Sequence, residues 1–95
     1  MAMVAVIMTF GDEAPRLEAR PRHREYLQGL LADGKLHASG PWGDDSGALI
    51  IYDVADEAEA REILAADPYS TTPGVIADVQ IKPWTIVYAA DRAPA

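Results

Sequence analysis

Two residues far apart in the chain, His23 and Asp67, have the side chains for proton transfer. A neutral histidine held by a carboxylate is suited to that work, because the carboxylate orients the ring and stabilises the imidazolium that forms. An ordinary histidine titrates near about 6.5, within reach of neutral pH. Around this pair, Ser39-Gly40-Pro41-Trp42 and Tyr69 supply a hydroxyl, a turn and two aromatic rings. Ser39 would donate a hydrogen bond to a ligand; it lacks the strand-to-helix elbow of a serine nucleophile. Trp42 and Tyr69 would wall a pocket for a flat molecule. A plainer reading competes at each position. His23 would be a core-edge histidine satisfied by a backbone carbonyl, Asp67 the N-cap of a turn starting at Pro68, Ser39 a strand-end hydroxyl and the aromatics ordinary packing.

These residues lie on elements that the hydrophobic pattern defines. Residues 3–10, rich in Val, Ile, Met and Phe, predict a first strand apolar on both faces. Pro21 suits a first helical position, with room for a shorter helical lead-in before it, and Leu27, Leu30 and Leu31 follow at helical spacing; four residues back from Leu27 lies His23, near the helix start and on its inward stripe. Asp33-Gly34 ends that helix. Leu36 to Ser39 and Ala48 to Val54 predict a hairpin joined by the turn-rich Trp42–Gly47 segment. Asp56 with Glu59 reads as a capping box for a second helix whose stripe, Ala60, Ile63 and Leu64, continues onto Asp67. A last strand lies within residues 75–87, and its Pro83 places it at a sheet edge or bend.

The order β-α-β-β-α-β predicts an α+β, ferredoxin-like two-layer sandwich with an antiparallel sheet over residues 1–88, followed by a flexible tail at 89–95. Right-handed crossovers then bring His23, Ser39, Gly40, Pro41, Trp42, Gly47 and Asp67 to one rim. Two helices cover one sheet face, so the other predicts a second subunit and a homodimer.

Composition narrows the function classes. Fifteen acidic against eight basic residues, a formal charge of -7, oppose binding to nucleic acid or anionic membranes. The chain has no cysteine, which excludes disulfides and thiolate catalysis and suits a cytoplasmic protein. His37 and His23 lack a metal-binding spacing, and no glycine-rich phosphate loop occurs, so neither metal nor cofactor is expected. No apolar run is long enough to span a bilayer.

Arg20-Pro21-Arg22-His23-Arg24-Glu25-Tyr26-Leu27, Gly34-Lys35-Leu36, Ser39-Gly40-Pro41 and Ala66-Asp67-Pro68-Tyr69 with Pro73-Gly74-Val75 are together similar to the YciI-like (YCII-related) family. The resemblance implies a subunit that pairs as a dimeric α+β barrel, with His23, Asp67 and Ser39 at the suspected site. The chemistry associated with that family is of lyase type, removing halide from a small chlorinated aromatic. The compact Trp42–Gly47 connection departs from the longer insertion of many relatives. The reading is a cofactor-independent enzyme of elimination or isomerisation type acting on a small, possibly aromatic compound. The alternative is a dimeric protein that binds a small ligand, or serves as an accessory, without catalysis.

Overall fold

The computed structural model of the chain describes residues 2–90. In order it contains β1 (Ala2–Phe10), α1 (Glu13–Ala32), β2 (Leu36–Pro41), β3 (Gly47–Val54), α2 (Glu57–Ala66), the single turn α3 (Pro68–Thr71) and β4 (Ile76–Trp84). The strands form one sheet in the order β2-β3-β1-β4, and every pairing is antiparallel. The flexible tail expected at 89–95 falls largely on residues 91–95, outside the described residues.

The sheet is open, which corrects the expected barrel. Its outer strands, β2 and β4, are separated by β3 and β1 and do not pair with each other. Closure requires every strand to have two neighbours and a consistent tilt and stagger, and four strands in this order leave two free edges. The architecture is an α+β sandwich, with helices over one face of a four-stranded antiparallel sheet.

Strand periodicity separates the two faces. Val4, Val6 and Met8 point toward the helices beside their β3 partners Tyr52, Ile50 and Ala48, all buried. Together with Leu27, Leu30, Leu36, Val54, Ala60, Leu64 and Val75 they make the core. Met3, Ala5, Ile7, Leu49 and Ile51 lie on the opposite face, which no helix among the described residues covers.

Helix α1 differs from the expectation that Pro21 begins it. It starts eight residues earlier, so Pro21 is interior and His23 lies mid-helix. An interior proline costs about 3 kcal/mol because it removes one hydrogen bond and crowds the preceding turn. Here Pro21 is on the exposed face, while Arg16, Ala19, His23, Leu27 and Leu30 form a continuous buried stripe across it. Burying a large apolar side chain contributes about 1.5 to 3 kcal/mol, so Leu27 and Leu30 alone offset the proline. Leu31, expected on that stripe, is exposed. The helix ends at Asp33, and Gly34 adopts the left-handed conformation at φ 75°.

Helix α2 is capped at both ends by aspartate. Asp56 accepts from the Glu59 N–H at 2.9 Å, and the Glu59 carboxylate accepts in return from the Ala55 N–H at 2.8 Å. Glu59 also accepts from Lys35 Nζ at 2.7 Å, tying α2 to the start of β2. The Ala55 hydrogen bond, then Lys35, holds the Glu59 carboxyl below its ordinary range. At the far end Asp67 closes α2 and opens α3, where Pro68 sits in the first turn. Edge strand β4 tolerates Pro83, which faces Val4 in the register.

Candidate functional site

Asp67 is fully buried although it is ionisable. Two donors account for its position, and both use the same oxygen. His23 Nδ1 donates to Asp67 Oδ1 at 2.7 Å, and the Tyr69 backbone N–H donates to that Oδ1 at 2.8 Å. The pair and the cap, set against each other by the sequence reading, therefore coexist. Asp67 Oδ2 is buried without a hydrogen-bond partner among the described residues.

Short helix α3 does more than present an amide. It packs against α1 and lays the Tyr69 ring flat on the His23 imidazole, with centroids 3.7 Å apart and planes 3° from parallel. Phe10, from the end of β1, meets Tyr69 edge-on at 5.8 Å. The imidazole is thus held in its plane by the carboxylate and across its plane by the tyrosine. With Nδ1 engaged, Nε2 is the ring nitrogen left to accept or return a proton.

Other polar groups lie behind this pair. Tyr26 on α1 donates from its hydroxyl to the Ile63 carbonyl at 2.7 Å, joining α1 to α2. Tyr52 is buried with its hydroxyl unpartnered among the described residues. Burial first, then the Asp67 charge and Tyr26, pushes the Tyr52 hydroxyl well above its ordinary value, so it stays protonated. The Tyr26 hydroxyl is raised likewise, by burial and then by Asp67.

His23 borders a cavity of about 200 Å³ between α1 and the β2–β3 edge. The cavity brings together four of the expected site residues besides His23, namely Ser39, Gly40, Pro41 and Tyr69. Asp67 sits behind His23 rather than in the wall. Trp42 is placed elsewhere: with Ala38, Leu49 and Ile51 it borders a groove on the uncovered side of the sheet. Arg16, Arg20 and Arg24, spaced four apart on α1, line the cavity and are not among the expected site residues. Their spacing was visible, but it marks one face only when residues 13–20 are already helical. Among the described residues no three or more His, Asp or Glu side chains are grouped to hold a metal ion. No helix among them is long and apolar enough to cross a membrane.

Fold and site together define a small α+β protein with a buried histidine–carboxylate pair beside a cavity of about 200 Å³. The chain belongs to the family of proteins with a YCII-related domain, whose sequence profile matches residues 2–85. A comparison with curated proteins finds no match. Among solved structures, the fold is similar to that of TftG, the 5-chloro-2-hydroxyhydroquinone dehydrochlorinase of Burkholderia phenoliruptrix AC1100, in its complex with 2,5-dihydroxybenzoquinone. The TM-score is 0.74 at 19% sequence identity, covering 87% of this chain and 93% of that one. At that identity the likeness is one of fold.

Proposed function

We propose that the protein is a cofactor-independent enzyme that moves a proton on a small, ring-sized organic molecule, in an elimination or isomerisation. The observation that carries this reading is the buried 2.7 Å hydrogen bond between His23 and Asp67 at the wall of a cavity. His23 takes a proton through Nε2, and Asp67 stabilises the imidazolium that results. Ser39 donates to the ligand, Gly40 and Pro41 shape the wall, and Tyr69 holds the catalytic ring from behind. A volume near 200 Å³ is below the roughly 300 to 1,000 Å³ usual for drug-sized ligands, which suits a single ring. The dehydrochlorination of a ring compound by TftG is chemistry of the proposed kind on a similar fold.

The test is solvent exchange. Candidate ring compounds with an acidic C–H, among them lactones and cyclic ketones, are incubated with the protein in deuterated water and followed by proton NMR. Deuterium incorporation faster than in buffer is expected for at least one class. Binding of those compounds without exchange would favour the second reading, a ligand-binding protein, for which the aromatic packing of Phe10 and Tyr69 along the cavity also speaks.

The same proposal includes a homodimer formed through the uncovered sheet face. Met3, Ala5, Ile7, Leu49 and Ile51 form an apolar strip there, and Trp84 stands beside Met3 in the register. Such a strip is unfavourable in water, and a second copy would cover it. Sedimentation at micromolar concentration should report twice the mass of the chain; a single-chain mass would remove the dimer from the reading.

A further inference from the structure

We propose that the ligand of this cavity is a small organic oxyanion, a carboxylate or an ionised ring hydroxyl, held by the guanidinium of Arg16. The inference deepens the proton-transfer reading and rests on it for its place in turnover. Arg16 is 95% buried by relative exposure (5% exposed) and lines the cavity with His23 and Ser39. Burying a guanidinium is unfavourable unless its charge and its N–H groups are met. The contacts within the chain meet them poorly. Its carboxylate neighbour, Glu13, is highly exposed and 4.0 Å from the guanidinium, too far for a hydrogen bond. Its Nε is buried with no partner among the described residues.

What the chain does provide is support. The guanidinium lies over the Phe10 ring at 4.6 Å, a cation–π contact that supports it from one side, and no hydrogen bond among the described residues occupies its donors. A planar fork with free donors matches the two oxygens of a carboxylate, or one ionised hydroxyl, better than any neutral group. The surrounding charges agree. Arg20, half-buried, and Arg24, exposed, line the same cavity, against Asp45 at its wall and Asp67 behind His23. This concentration of positive charge stands in a chain of formal charge -7. The exposed arginine is screened by water and salt, so Arg16 contributes most of the selectivity.

The geometry also gives the anion a role in the chemistry. Arg16 and His23 line the same cavity, so an anion held at Arg16 shares it with the base, and negative charge that grows as the proton leaves would lie near a cation.

The test compares charged ligands with neutral ones of the same shape by calorimetric titration of the full chain at low salt: benzoate against benzamide, and 4-nitrophenolate against 4-nitroaniline. At least one anion should bind about tenfold or more tighter than its neutral partner, the effect of one charge-assisted hydrogen-bond pair. The arm that shows it tells carboxylate from ionised hydroxyl. Arg16→Gln should reduce anion affinity to the level of the neutral ligand, whereas Arg61→Gln on α2, paired with Glu57 outside the cavity, should change nothing. If Arg16→Gln does not fold, the wild-type ratios still decide. Equal binding of anion and neutral ligand in both arms, or no binding of any of the four, overturns the proposal, as does full selectivity in a folded Arg16→Gln. Anion selectivity without proton exchange would leave this site standing and remove the proton-transfer reading; exchange without anion selectivity would do the reverse.

Discussion

Replacing His23 with alanine should lower proton exchange by about 10²- to 10⁴-fold, the usual contribution of a positioned general base. Asp67→Asn should lower it less, by roughly 10- to 100-fold, because one charged hydrogen bond to the imidazolium is lost. The lesser effect follows from the shared oxygen. An asparagine carbonyl placed at Oδ1 still accepts from both His23 and Tyr69, so the ring keeps its orientation and its tautomer. Its amide nitrogen would fall where Oδ2 now sits, buried and without a partner among the described residues. The variant therefore keeps the geometry but lacks the negative charge. Exchange assayed by NMR on the first active substrate checks the order: wild type fastest, Asp67→Asn intermediate, His23→Ala slowest. Full activity in Asp67→Asn would remove Asp67 from the mechanism.

The largest expected loss of stability is at the same position. Asp67→Ala orphans the Tyr69 N–H and the His23 Nδ1 at once, in a site closed to water. Loss of an N-cap costs about 0.5 to 2 kcal/mol, and a buried unpaired donor about 1 to 3 kcal/mol. Removing a buried carboxylate that has one unpaired oxygen gives some of this back. The net expectation is a loss of about 1 to 3 kcal/mol, which for a domain of this size lowers Tm by roughly 5 to 20 °C. Thermal denaturation followed by circular dichroism measures it, with Asp67→Asn falling between alanine and wild type. An Asp67→Ala protein that melts with the wild type would mean the cap and the pair contribute nothing to the fold.

Local signals in the sequence carried much of this arrangement. The capping box at Asp56 and Glu59, the glycine stop at Gly34, the edge placement of Pro83 and the inward spacing of Asp67 after Ala60 and Ile63 each depend on residues a few positions apart, and each is found as expected. The departures depend on tertiary packing. Pro21 looked like a helix start because its local cost is high, yet a buried stripe running from Arg16 to Leu30 outweighs that cost. Leu31 shares helical spacing with the core but projects to solvent. Trp42 follows the expected turn and faces the uncovered side of the sheet. Nothing local in the sequence reveals that the ring of Phe10 lies beneath Arg16. Barrel closure was drawn from resemblance, and the strand order leaves the sheet with two free edges.

The double use of Asp67 Oδ1 has a consequence for measurement. The Tyr69 amide proton and the His23 ring are held by one atom, so an opening that swings the Asp67 carboxylate away frees both. Hydrogen exchange at that single backbone position thus sets an upper limit on how often the carboxylate leaves its partners, and does so in the resting protein, before any substrate is known. A ligand that settles in the cavity would slow that exchange, which makes the Tyr69 amide a built-in gauge for ligand searches.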